Sequence, residues 1–152
     1  MTGYLAGFEP AMREALEEAM TAGEDVPVGA VVLDAEGTVI GRGRNRREAL
    51  SDPTAHAEIV AIRTAGRARG DWRLDDCTLV VTLEPCTMCA GAVLLGRLRR
   101  LVYGARDPRA GAAGSIWDVL HDPRLGEPVE VISGVLEAEC SALLRDFFAR
   151  RR

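Results

Sequence analysis

The sequence predicts a three-layer α/β/α sandwich built on a mixed sheet of about five strands. Three observations predict it. Short β-branched, apolar runs alternate with stretches of helical periodicity along the chain. The run "CTLVVTLE" has the composition of a strand buried within a sheet. No internal repeat, linker or low-complexity tract divides the 152 residues, so residues 1–152 read as a single domain.

Taken in order, the N-terminal stretch reads as an amphipathic helix. Met12, Ala15, Leu16, Ala19 and Met20 recur at helical spacing over residues 9–22, and Gly23 follows as a stop. "VPVGAVVLD" and "GTVIGRGRN" flank Ala35-Glu36-Gly37 and read as two strands joined by a hairpin turn. "SDPTAHAEIVAIRTAGRARG" predicts a helix with Asp52 as N-cap and Pro53 at its first position. "CTLVVTLE" is a strand, and "CTMCAGAVLLGR" a helix starting at Pro85 or Cys86. "LRRLVYGA" and "PVEVISG" supply two more strands, separated by an irregular, Gly- and Pro-rich segment over 105–128 with room for one short helix. The last segment places Leu136, Cys140, Leu143, Leu144, Phe147 and Phe148 along one helical side.

The N-terminus lacks a basic segment followed by an unbroken apolar one, and no run is long enough to span a bilayer. A cytoplasmic protein without membrane contact is the expectation. Four cysteines without an export signal argue against a disulfide framework, and Cys77 and Cys140 read as small core residues. The formal charge is −4, so net charge does not point to nucleic acid. All 19 basic residues are arginine, however, and they are dense at Arg42, Arg44, Arg46 and Arg47 and again at Arg145, Arg150, Arg151 and Arg152. Guanidinium forks match phosphates; on composition alone these groups read first as solvated surface.

The chemistry lies in "TAHAE" and "LEPCTMCA". His56 is one of only two histidines, Glu58 follows two positions later, and Cys86 and Cys89 form a P-C-x-x-C. Cysteines three apart lie one helical turn apart on one face, so both sulfurs can reach one ion. A helix N-terminus favours their thiolates. With neutral His56 they would balance Zn²⁺ and leave a fourth position open, and Glu58 would stand beside it as a proton carrier. A redox pair, a closed structural zinc site completed by Cys77, Cys140 or His121, and a merely buried His56 are the competing readings.

H-x-E followed by P-C-x-x-C resembles the zinc-dependent nucleobase deaminases. The likeness extends well beyond the metal motif. "VPVGAVV", "GRGRNR", "DPTAHAEI", "TLVVTLEPCTMCAGAV", "LVYGARDPRAGAAGS", "DVLHDP" and "LRDFFARRR" together resemble the bacterial tRNA-specific adenosine deaminases of the cytidine and deoxycytidylate deaminase superfamily, from about Phe8 to Arg152. The resemblance implies a cytidine-deaminase-like fold and a single zinc-dependent deaminase domain. It implies hydrolytic conversion of adenosine to inosine at the wobble position of a tRNA anticodon, with an arginine tRNA as the expected substrate.

Carried over, His56, Cys86 and Cys89 bind one Zn²⁺ per subunit, and Glu58 shuttles the proton. Asn45 hydrogen-bonds the flipped nucleoside; Val26, Pro27, Leu83 and Glu84 line the base pocket; Asp107 meets the neighbouring nucleotides. Phe147, Phe148 and Arg150 lie on a helix laid against the anticodon stem-loop, which gives both arginine groups a place among phosphates. A homodimer is implied, and the small residues Ala90, Gly91 and Ala92 would permit close packing. The sequence departs from the family pattern at Arg44, where an aromatic residue is usual. A deaminase of a free nucleobase or nucleoside, such as guanine or cytosine, is the alternative, and a zinc-containing RNA-binding subunit without activity is a more distant one.

Overall fold

In a computed structural model, residues 2–151 are described; Arg152, the last of the C-terminal arginines, lies outside them. The element order is α1 (Thr2–Ala6), α2 (Glu9–Met20), β1 (Gly29–Leu33), β2 (Val39–Arg44), α3 (Arg47–Leu50), α4 (Ala57–Arg69), β3 (Thr78–Leu83), α5 (Thr87–Leu95), β4 (Arg100–Ala105), a 3₁₀ turn at Val119–His121, β5 (Glu130–Ser133) and α6 (Glu137–Ala149). The five strands form one sheet in the order β2-β1-β3-β4-β5. β1 pairs antiparallel with β2 and β3, whereas β3–β4 and β4–β5 are parallel. No helix among the described residues is long and apolar enough to cross a membrane.

Strand alternation sorts the sheet into two cores. Ala30, Val32, Leu79, Val81, Leu101 and Tyr103 join Ala57, Ala61 and Ala65 of α4 and Ala90 and Val93 of α5 on one face. Val31, Leu33, Val80, Val102 and Ile132 join Ala11, Met12, Ala15 and Leu16 of α2 and Cys140 of α6 on the other. This is the predicted three-layer sandwich. It explains why the central strands are apolar on both sides: neither face meets water.

Three local features differ from expectation. The N-terminal helix is two helices, because Pro10 has no N–H to give to the carbonyl of Ala6 and sits only in the first turn of α2. Helix α4 begins at Ala57 and not at Pro53. The Asp52 carboxylate accepts the Thr54 N–H at 2.9 Å and its hydroxyl at 2.7 Å, closing a local turn in place of a cap. His56 is left extended, at φ −69° and ψ 154°, as the N-cap. The one-turn helix α3 had no sequence signal; the buried Asp25 holds it by accepting the N–H groups of Glu48 at 2.7 Å and Ala49 at 3.2 Å. The expected short helix within 105–128 is the 3₁₀ turn at Val119–His121.

The topology gathers separate stretches at one end of the sheet. The end of β3 lies beside the start of β1, which in turn lies beside the end of β2, and β4 ends alongside β3. Helix α4 reaches this end because it lies directly on β2. A Cβ at Gly41 would fall 2.4 Å from the Ala61 carbonyl oxygen, and one at Gly43 would fall 2.4 Å from that of Ala57. Gly43→Ala is expected to lower the unfolding free energy by about 1–3 kcal/mol, the usual cost of overpacking, with loss of zinc retention as α4 is pushed away. Urea unfolding and metal analysis of the purified variant check this, and an unchanged midpoint would contradict the packing.

Candidate active site

Two helix N-termini converge on one point. His56 caps α4 and Cys86, at φ −76° and ψ 179°, caps α5, with Cys89 in the first turn of α5. His56 Nδ1 lies 3.6 Å from Cys86 Sγ and 3.5 Å from Cys89 Sγ. Zn–S bonds of about 2.3 Å and Zn–N bonds of about 2.0–2.1 Å at tetrahedral angles place N and S about 3.6 Å apart. The residues therefore fit a tetrahedral Zn²⁺ as they stand. Their ligand atoms all lie within 4.8 Å of one another, and among the described residues no fourth His, Cys, Asp or Glu joins the group. Cys77 and Cys140 are buried elsewhere as free thiols. His121 is occupied by Asp118 and the Val129 carbonyl, each at 2.9 Å. The set has three protein ligands, which suits an open, catalytic site and not a closed structural one.

The electrostatics suit cation binding. The Cys86 thiol is drawn down to about 3, first by the hydrogen bond from Cys89 and then by that from His56, against its burial. The same bond, with burial, holds the Cys89 thiol well above its ordinary range. Binding a cation therefore releases a proton from Cys89. Both sulfurs also face the positive end of α5.

Glu58, in the first turn of α4, is only 4 % exposed. Burial pushes its carboxyl up to about 7, opposed by its own backbone N–H and by the charge of His56. A carboxyl poised there can both take and return a proton near neutrality.

A cavity of about 170 Å³ opens beside these groups. It is lined by His56, Ala57, Glu58 and Cys86 together with Val26, Val28, Asn45, Arg47, Leu83, Glu84, Asp107 and Ala110. Asn45, Val26, Leu83, Glu84 and Asp107, singled out in the sequence, thus share this cavity with His56, Cys86 and Glu58. Pro27 is buried and is not part of the wall; its neighbour Val28 is. The Asn45 amide donates to the Val26 carbonyl at 3.2 Å and its oxygen accepts the Arg47 N–H at 3.2 Å. One amide hydrogen and one lone pair remain for a ligand.

The C-terminal helix stands apart from this wall. Phe147 is 7 % exposed and Phe148 50 %, in edge-to-face contact at 5.2 Å, and the Arg150 Nε donates to the Asp146 carbonyl. Arg151 ties the end of α6 to Glu24 at 3.2 Å, two residues before the cavity wall begins at Val26. Of the other arginine group, Arg42 pairs with Glu14 of α2 at 2.6 Å, on the face opposite α4, and Arg47 lines the cavity. Val28 and Ala110 as lining residues, and Asp25 behind α3, had no signal in the sequence, because strand ends and turns alone bring them together; Arg47 was expected among phosphates and lies in the cavity wall.

In zinc-stripped protein the position of Glu58 has a pH signature. The folded state keeps its proton up to about 7, whereas the ordinary value is 4.5. Folded protein therefore binds more protons between those values, and stability falls as pH rises through that window. Glu58→Gln should abolish a loss on the order of 3 kcal/mol. Denaturant titrations of both stripped proteins at pH 4.5 and pH 8 check this, and parallel curves would show that Glu58 ionises normally.

The zinc-binding region model of the cytidine and deoxycytidylate deaminases matches residues 8–105. The tRNA-specific adenosine deaminase of Bacillus subtilis is 47% identical over 143 residues, covering 93% of this chain and 88% of that protein. That of Haemophilus influenzae is 50% identical over 147 residues, covering 95% and 84%. A structure solved in a study of A-to-I editing by tRNA:A34 deaminases at the wobble position of transfer RNA superposes with a TM-score of 0.85 at 47% identity, over 89% of this chain and 99% of that one. A guanine deaminase from Nitrosomonas europaea superposes at 0.81 with 28% identity, over 93% and 84%. With a His/Cys/Cys group spaced for zinc, a buried glutamate and near-half identity along almost its whole length, the chain belongs to the cytidine and deoxycytidylate deaminase family and, within it, to the tRNA-specific adenosine deaminases.

Proposed function

We propose that this protein hydrolyses adenosine to inosine at the wobble position of a tRNA anticodon, an arginine tRNA being the expected substrate, in the cytoplasm. The observation that carries the chemistry is that His56, Cys86 and buried Glu58 share the wall of one cavity, with the Cys89 sulfur 3.5 Å behind His56 Nδ1 to complete the ligand group. The adenosine and tRNA assignments rest on the near-half identity to proteins that bear that name. The cavity volume of about 170 Å³ is well below the roughly 300–1,000 Å³ of sites that engulf a drug-sized ligand. It suits one flipped base with the rest of the polynucleotide outside.

In this reading His56 Nδ1 and the two thiolates hold Zn²⁺, which when bound supplies the Lewis acid that makes water nucleophilic at neutral pH. Glu58 takes one proton of the water that attacks C6 of adenine and passes it to the ring nitrogen, then carries the second, from the new C6 hydroxyl, to the departing amine. A C–O bond replaces the C–N bond, and ammonia leaves. Asn45 meets the nucleoside with its free amide hydrogen and lone pair. Val26, Val28 and Leu83 give the base an apolar slot. Asp107 and Arg47 stand at its mouth, where neighbouring nucleotides pass. Exposed Phe148 and Arg150 offer a stacking face and a charge to the stem-loop.

A second reading, deamination of a free base, is favoured by the likeness to the Nitrosomonas europaea enzyme. The assay that separates them presents an arginine anticodon stem-loop with wobble adenosine beside free adenosine, cytidine, cytosine and guanine. Inosine in the stem-loop alone is the expected outcome; conversion of guanine or cytosine alone would replace this reading with the second. Glu58→Ala should retain zinc and stem-loop binding yet lose turnover by at least about 10²-fold, because proton transfer alone is removed.

We further propose a homodimer. Leu95 at the end of α5 is 78 % exposed, and a Cβ added at Gly91, one turn earlier on the same helix, would meet nothing within 4 Å. Such a face on α5 suits close packing of a second copy. Light scattering should give twice the 16.4 kDa chain mass; the monomer mass would count against the dimer.

A further inference from the structure

Glu84 lines the cavity, yet its carboxylate has no capacity left for a ligand. It is 2 % exposed. Its oxygens accept the backbone N–H of Asp107, Ala113 and Ser115, each at 3.0 Å, and the Ser115 hydroxyl. A carboxylate offers about four lone-pair sites, and all are taken by one short segment of chain.

That segment is wound around the carboxylate. Asp107 accepts the N–H groups of Arg109 and Ala110 on its side chain and that of Gly111 on its carbonyl. The Ala112 N–H reaches the Pro85 carbonyl at 2.8 Å. At Gly111 the contact is close enough to exclude a side chain, since a Cβ would lie 2.4 Å from Glu84 Cδ and 2.5 Å from the Asp107 carbonyl oxygen. Asp107 and Ala110 are cavity lining, and Pro108 and Arg109 beside them are exposed. This turn therefore forms one side of the cavity mouth.

We propose that Glu84 is a positioning residue: its buried carboxylate fixes residues 107–115 as one wall of the cavity and so sets which neighbours of the target base are accepted, without itself touching the base. The carboxylate is required for this. Glutamine at this position keeps a single acceptor oxygen and turns an N–H₂ toward backbone N–H donors, leaving buried donors unpaired. The substrate half of the proposal rests on the tRNA reading above; the wall-fixing half does not.

The test uses the zinc-loaded enzyme and two readouts. First, amide hydrogen exchange of Glu84→Gln should accelerate at 107–115 while α4 and α5 keep their protection. Second, kcat/KM on the stem-loop should fall roughly ten- to hundredfold, as small misplacements near a reacting centre do. The fall should be carried mainly by KM, with reduced discrimination between stem-loops that differ in the nucleotides flanking the target. Should Glu84→Gln not fold, Ser115→Ala, which removes one donor, and Gly111→Ala, which displaces the carboxylate, should show the same exchange pattern and the same KM-weighted loss. Exchange that is unchanged, or raised evenly across the protein, overturns the proposal whatever the substrate. Localised exchange with unaltered KM and unaltered flank discrimination overturns its specificity half. Failure of wild-type enzyme on every stem-loop would instead overturn the tRNA reading and, with it, that specificity half.

Discussion

The site depends on how closely helix α4 lies against strand β2. At Gly41 and Gly43 the strand offers only hydrogens, and the helix answers with Ala57, Ala61 and Ala65. That backbone-to-backbone seat delivers the first turn of α4, with His56 and Glu58, to the end of β3 where Cys86 begins α5. The ligand atoms of His56, Cys86 and Cys89 then stand at the spacing of a tetrahedral site.

Two buried glutamates in the same cavity are treated in opposite ways. Glu58 has been taken from water with little in return, so burial dominates and its carboxyl rises to about 7. Burial pushes Glu84 upward as well, but the hydrogen bonds from Ser115, Asp107 and Ala113 outweigh it and hold the carboxyl below its ordinary value. Glu58 is left free to exchange a proton; Glu84 is a fixed anion that organises a loop. Environment, not residue type, separates the roles.

The arginines show how far a charge pattern can be read. Alternation along β2 turns Arg42 to the α2 side, where Glu14 neutralises it, while Gly41 and Gly43 face α4. Arg47, past the strand end, turns into the cavity mouth. At the other group Arg151 is drawn to Glu24, and its guanidinium lies 4.0 Å from the centre of the Phe147 ring. A run that looks uniform in sequence is divided by the geometry into structural ties and groups that face a ligand.

The strands, the helices at 9–20, 87–95 and 137–149, and the H-x-E and P-C-x-x-C motifs were legible in the sequence, because strand alternation, helical periodicity and ligand spacing are local properties of a chain. Asp52 deceived it: a residue suited to cap a helix closed its own turn with Thr54, a competition that one sequence does not decide. Asp25 beneath Glu48 and Ala49, Val28 in place of Pro27, and the saturation of Glu84 by residues 107–115 lay outside its reach. Each is a contact between segments distant in the chain, and only the pairing of β1, β2, β3 and β4 brings their ends to one place. The sequence by itself determined which side chains are chemically able to hold a metal and move a proton; the tertiary structure decided which polar groups keep capacity for a ligand, because hydrogen-bonding capacity is spent on neighbours that only folding supplies.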